Sequence, residues 1–184
     1  MTTPTSLCVF CGAKPGHDPS HLALARAVGT AIASRGWRLV YGGGRVGLMG
    51  ALADAALAGG AEVIGVIPDG MLVREQGHTG LTRREVVADM SVRKQRMIEL
   101  SDGFIALPGG FGTLDELFEV LTLWQTRYLR KPVGLLNAQG YFDDLIAMCE
   151  GFIAAGFVAP ADFNALLREV DLDRLLDRLF TATA

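Results

Sequence analysis

The chain has 184 residues, 50% of them hydrophobic, with 23 glycines and a formal net charge of −3. That size supports a true core without staples, and the mildly acidic balance argues against a nucleic-acid binder that works through broad positive charge while leaving room for a local anion site. The composition is not that of a disordered or collagen-like chain, and three cysteines exclude a disulfide framework.

Met1–Ser6 is short and polar, without the charged and apolar regions of a signal peptide. No apolar run reaches the roughly 18 residues needed to span a bilayer, so a cytoplasmic protein with no membrane partner is expected. Ser6–Cys11 reads as an apolar strand ending at Gly12. Its Cys8-x-x-Cys11 reads as small core residues: there is no second pair, and His17, His21 and His78 lack metal-site spacing. Ser20–Arg35 reads as a helix with Ser20 at its N-cap, an apolar stripe of Leu22, Ala25, Val28 and Ile32, and Gly36 as its stop. A strand, Arg38–Tyr41, runs into Gly42-Gly43-Gly44. An Ala-rich helix, Leu48–Ala58, closes at Gly59-Gly60, and the strand Glu62–Ile67 stops at Pro68. After a loop over Asp69–Leu81, Glu85–Val87 reads as a short strand.

The second half repeats the alternation. Ser91–Ser101 is a predicted helix carrying Arg93, Lys94 and Arg96. Phe104–Leu107 is an apolar strand ended by Pro108-Gly109-Gly110, and Thr113–Thr126 is the next helix. Val133–Leu136, Tyr141–Ala155, Leu166–Val170 and Leu172–Phe180 read as strand, helix, strand and helix. Apolar strands separated by amphipathic helices predict an α/β protein: one doubly wound domain over residues 1–184, a mostly parallel sheet of about seven strands with helices on both faces. Ligands of such sheets bind outside the carboxyl ends of the strands, and every glycine-rich segment here follows a strand.

Three segments carry chemistry. Gly42-Gly43-Gly44-Arg45-Val46-Gly47 fits G-x-G-x-x-G, with Glu62 twenty residues after Gly42. A dinucleotide-binding acid closes the strand after that loop, whereas Glu62 opens it. The segment therefore reads as a tight turn beside a nucleotide rather than a dinucleotide site. Pro108-Gly109-Gly110-Phe111-Gly112-Thr113-Leu114-Asp115-Glu116 leaves a strand and opens a helix. Free N–H groups and the positive dipole end make an anion site there. Thr113 and Glu116 fit a capping box, yet a cap does not explain three glycines within the four positions before Thr113. A carboxylate would repel phosphate, so Glu116 is suited to a sugar hydroxyl or to the positive charge of an oxocarbenium-like transition state. In Met90-Ser91-Val92-Arg93-Lys94-Gln95-Arg96-Met97, cations open a helix against its dipole. That pattern fits an anionic partner or a solvated basic face, with Asp89 and Glu99 as ordinary pairing partners and Arg96 able to share the face of Arg93.

The run YGGGRVGLMG, the helix start MSVRKQRM and the loop PGGFGTLDE together resemble the LONELY GUY family of cytokinin-activating phosphoribohydrolases, sometimes labelled lysine decarboxylase-like. VIGVIP, SDGFIALPGG and KPVGLLN add to the match, which spans Leu7 to Val170. The resemblance implies a Rossmann-like fold, a homodimer, and hydrolysis of an N6-modified adenosine 5′-monophosphate to free base and ribose 5-phosphate; several bacterial members also cleave AMP. By position it implies a catalytic pair, Arg93 and Glu116. It also implies a nucleotide-binding stretch of Lys94, Gly110, Phe111, Gly112, Thr113 and Asp115, with further substrate contacts at Glu75 and Thr122; on this reading Gly109–Thr113 cradle the 5′-phosphate. Ser91 stands where the family usually has His before the Arg-Lys pair.

The expected activity is therefore N-glycosidase on a nucleoside 5′-monophosphate, with no cofactor or metal and no nucleic-acid partner. A decarboxylase using pyridoxal phosphate needs a Schiff-base lysine. The chain has Lys14, Lys94 and Lys131 alone; Lys94 belongs to the anion segment, and nothing supports the others. A nucleotide carrier without turnover is the rival reading, and an NAD(P)-dependent oxidoreductase working through Gly42–Gly47 is a second.

Overall fold

A computed structural model describes residues 4–72 and 76–181. Seven strands form one sheet: β1 (Ser6–Phe10), β2 (Arg38–Tyr41), β3 (Val63–Pro68), β4 (Arg83–Val87), β5 (Gly103–Ala106), β6 (Val133–Leu136) and β7 (Leu166–Glu169). Their order is β4-β3-β2-β1-β5-β6-β7, and every pairing is parallel. The chain starts at the centre, winds outward to β4, returns to lie beside β1 as β5, and winds outward the other way. The direction reverses between β1 and β5, where Leu7 pairs with Gly103 and Phe10 with Ala106. A ligand crevice is expected at the carboxyl ends of those two strands.

The helices are α1 (Ser20–Ser34), α2 (Gly47–Ala58), α3 (Met90–Glu99), α4 (Phe111–Gln125), α5 (Asp143–Ala154), α6 (Pro160–Asn164) and α7 (Leu172–Thr181). Side chains alternate across a strand, and β1 divides accordingly. Leu7 and Val9 join a core with Val28 and Ile32 of α1, Leu52 of α2 and Leu176 of α7. Cys8 and Phe10 join the opposite core with Met97 of α3, Leu117 of α4 and Cys149 of α5. Cys11 falls in the first core and Cys8 in the second, so the C-x-x-C spacing places its thiols on opposite faces of the sheet. Among the described residues, no helix is long and apolar enough to cross a membrane.

Several boundaries differ from the sequence expectation. β4 begins at Arg83 because Arg83 and Arg84 pair with Ile64 and Gly65 of β3, a constraint that hydropathy does not carry. Ser20 does not cap α1: the Asp18 carboxylate accepts its N–H at 2.8 Å, while its Oγ donates to Gln139 at 3.0 Å. The short α6 carries Pro160 at its start, where proline's missing N–H costs nothing. The capping box of Thr113 and Glu116 is not formed. Gly110 takes the cap position of α4 with φ −103° and ψ −149°, and no side chain caps the helix. The first helical bond runs from the Leu114 N–H to the Gly110 carbonyl at 3.1 Å, so Thr113 lies inside the first turn.

Candidate active site

A cavity of about 730 Å³ opens at the reversal point, within the usual range for small-molecule sites. The turn after β1 (Cys11 to Asp18) and the turn after β5 (Pro108 to Gly110) face each other across it. Met49 and Leu48 of α2, Arg93 of α3, Thr113 and Glu116 of α4, and Tyr141 also line it.

Arg93 enters from the first turn of α3, whose N-cap is Asp89, accepting from the Val92 N–H at 2.9 Å. Only 4% of Arg93 is exposed. Its Nε donates to the Val66 carbonyl, in the second half of β3, at 3.1 Å and its Nη2 to the Gly42 carbonyl, directly after β2, at 2.9 Å. Charge-assisted bonds of this kind offset the desolvation of a buried cation. Arginine stays protonated in proteins, so this is a permanent positive charge at a fixed place.

Lys94, its neighbour, turns the other way. Its Nζ donates to Asp115 and Glu119 of α4, each at 3.0 Å. Desolvation opposes its charge, but the two carboxylates outweigh that and raise its pKa. Arg96 does not share the face of Arg93. It binds Glu85 of β4 at 2.6 Å and Glu99 at 3.0 Å, and its hydrogen bond holds the Glu85 carboxyl below the usual carboxylate range.

Glu116 lies one turn into α4, on the same face as Thr113, and both are buried. Burial is the main force raising the thiol pKa values of Cys8 and Cys11; Glu116 raises both further and Arg93 lowers them. Carboxylate and guanidinium thus act on the same two thiols. Those thiols stay protonated, so Cys11 is neutral wall rather than nucleophile.

The glycines divide into two kinds. A Cβ at Gly42 would collide with the Arg93 guanidinium, and one at Gly109 with the Thr113 hydroxyl. Gly43 and Gly47 have φ of +78° and +63°, a region that favours glycine, and a Cβ on Gly47 would meet the Ala13 carbonyl. Packing and backbone account for all four. A Cβ at Gly110 or Gly112 would meet nothing within 4 Å, and neither has positive φ. Packing does not demand glycine at those two positions, and both line the cavity. The N–H groups of Phe111, Gly112 and Thr113 have no acceptor within the helix, as in any first turn.

The cavity therefore gathers Arg93, Gly109, Gly110, Gly112, Thr113 and Glu116. It does not gather the other candidates. Phe111 is 95% exposed and outside the lining. Lys94 and Asp115 are bound to each other. Thr122 is exposed on α4, roughly 13 Å along the helix from Thr113. Glu75 lies outside the described residues. The dinucleotide reading of Gly42–Gly47 meets its obstacle at Glu62, which is paired to Arg38 at 2.7 Å beside the amino end of the sheet, away from the cavity. The sequence reading missed Gly12, Lys14, His17, His21 and Tyr141, all on the lining. Their signal is position after the first strand and around the reversal point, which emerges only from the strand order.

The family model described as "Possible lysine decarboxylase" matches residues 49–179. The chain is 51% identical over 172 residues to the cytokinin riboside 5′-monophosphate phosphoribohydrolase of Rhodococcoides fascians, covering 93% of this chain and 87% of that protein. It is 49% identical over 154 residues to the probable cytokinin riboside 5′-monophosphate phosphoribohydrolase LOGL5 of Oryza sativa subsp. japonica, spanning 84% of this chain and 63% of that longer protein. Among solved structures, the molybdenum cofactor binding protein of Rippkaea orientalis superposes with a TM-score of 0.73 at 22% identity, covering 99% of this chain and 98% of that one. The Moco carrier protein of Chlamydomonas reinhardtii gives the same score and identity, covering 98% and 99%. These two likenesses show a shared Rossmann-like fold.

Proposed function

The chain belongs to the LONELY GUY family of phosphoribohydrolases, and on that premise we propose that it hydrolyses the N-glycosidic bond of N6-modified adenosine 5′-monophosphates, and of AMP. The 5′-phosphate sits at the start of α4, on the N–H groups that Gly110 and Gly112 leave uncovered. Dipole and free donors both favour an anion there. Water forms a bond to the anomeric carbon as the bond from that carbon to N9 breaks. The bonding electron pair leaves with the base, which takes up a proton, and the products are free base and ribose 5-phosphate.

Glu116 holds the ribose and stabilises the positive charge that develops at the anomeric carbon. Arg93 orients the phosphate or the leaving base, and its fixed charge stabilises electron density departing with the base. No step needs a metal or a redox cofactor. The observation that carries this reading is the pair of glycines, Gly110 and Gly112, open to the cavity beside a buried carboxylate. The family resemblance also supports a homodimer, which sedimentation would test, and a cytoplasmic location.

The test is an end-point assay by liquid chromatography with AMP, isopentenyladenosine monophosphate and the two phosphate-free ribosides. Free base from the monophosphates and not from the ribosides is the expected result. Folded protein that releases no base from any of them would favour the carrier reading.

A further inference from the structure

Tyr141 is absent from every sequence motif above, yet it reaches the anion-binding turn. Its hydroxyl donates to the Gly109 carbonyl at 2.7 Å. The carbonyl one residue earlier, on Pro108, accepts from the Gly12 N–H at 3.0 Å. Two successive peptide units of the turn are thus held from outside. A trans peptide is planar, with C=O and N–H pointing in opposite directions. Holding the Gly109 carbonyl on Tyr141 therefore aims the Gly110 N–H the other way. Gly109–Gly110 has no Cβ on either side to choose between orientations, so an outside bond has something to decide.

Tyr141 is itself delivered by a built turn. Asn137 accepts the Phe142 N–H at 2.7 Å and donates to Asp143 at 2.7 Å. Gln139 and Gly140 adopt φ of +57° and +72°, and Gln139 is tied to Ser20 of α1. The ring packs edge-on against His21, with centroids 5.4 Å apart.

We propose that Tyr141 is a positioning residue for the substrate phosphate: its hydroxyl clasps the Gly109 carbonyl and so fixes the Gly110 N–H in the orientation that receives the anion. This rests on the phosphate site placed above at the start of α4. The hydroxyl touches the main chain and not the reacting atoms, so its loss weakens recognition of phosphate and leaves the bond-breaking step largely alone.

The experiment compares the native chain with Tyr141→Phe, which keeps the ring and its packing on His21. Calorimetric titration with ribose 5-phosphate, and separately with adenosine, reads the two halves of the substrate. The variant is expected to bind ribose 5-phosphate roughly threefold to tenfold more weakly, the effect of one hydrogen bond at a half-exposed position. Adenosine binding stays unchanged, and KM for the monophosphate rises by the same factor with kcat within about twofold. Equal ribose 5-phosphate binding by native and variant chains would overturn the clasp alone. So would equal weakening of both ligands, which marks a general structural role. A native chain that fails to bind ribose 5-phosphate would instead overturn the phosphate site itself, and the clasp with it.

Discussion

Gly112→Ala separates what the fold needs from what a ligand needs. Gly112 is the second residue of α4, and a Cβ there meets nothing within 4 Å. Alanine exceeds glycine in helix propensity by about 1 kcal/mol in a helix interior. In a first turn a gain of about 0.5 kcal/mol is reasonable, which for a chain of this size raises Tm by about 1–2 °C. The ligand sees the opposite. The Cα–Cβ bond of a helical residue tilts toward the helix start, so the methyl group enters the space in front of the free N–H groups. Losing one charge-assisted hydrogen bond costs about 1.5–3 kcal/mol, a fall in kcat/KM of roughly tenfold to 150-fold. Thermal melting and the chromatographic assay on one preparation check both numbers. Opposite signs cannot arise from misfolding. A stable variant with native kcat/KM would show that the phosphate does not approach Gly112, and the placement of the substrate would be wrong.

Glu116→Gln keeps the shape of the side chain and removes its charge. It is expected to lower kcat by at least about a hundredfold with little change in Tm, and near-native turnover would remove Glu116 from the chemistry. Gly42→Ala forces a methyl group against the Arg93 guanidinium; crowding of this kind costs about 1–3 kcal/mol, so both Tm and turnover should fall, and unchanged turnover would mean Arg93 need not stay where it is. Glu85→Gln breaks the bonds joining β4 to Arg96 of α3 and should lower stability at neutral pH by about 1 kcal/mol. Because the folded Glu85 carboxyl titrates below its unfolded value of about 4.3, its contribution is fully present above that pH and is lost as pH falls through the lower folded value. Denaturation midpoints of native chain and variant should therefore converge in acid, and a gap that persists there would assign the effect to packing.

Most of the fold was legible because most strands are largely apolar runs and most helices amphipathic, patterns that depend on local sequence alone. Boundaries were less so. Arg83 and Arg84 are charged and exposed, and only pairing with β3 makes them strand. Thr113 fits a capping box in sequence, but Gly110 takes the cap three residues before it, and the helix follows. The site was legible where chemistry concentrates in contiguous motifs, as at Gly109–Glu116. The reach of a single long side chain was not. Arg93 and Lys94 are adjacent in sequence and equally charged, yet one runs inward to the carbonyls of Val66 and Gly42 and the other across to α4. The turn after β1 joins the site because β1 and β5 are neighbours, and Tyr141, which follows β6, because β6 lies beside β5.

The same fold, at 22% identity, is found in a molybdenum cofactor binding protein, so the sheet and its crevice do not choose between carrying a ligand and cleaving one. A carrier and a hydrolase can both use uncovered N–H groups at a helix start, since anion binding is all that those groups supply. Cleavage needs in addition a group whose interaction strengthens as charge develops on the sugar. In the proposed reading Glu116 is that group. It is buried one turn further along α4 from the uncovered N–H groups, beside the ribose if the phosphate binds as proposed, and burial strengthens its field. Retention of ribose 5-phosphate binding in Glu116→Gln with loss of turnover would put binding and cleavage on separate turns of one helix. Loss of both would join them in a single anion-and-sugar site.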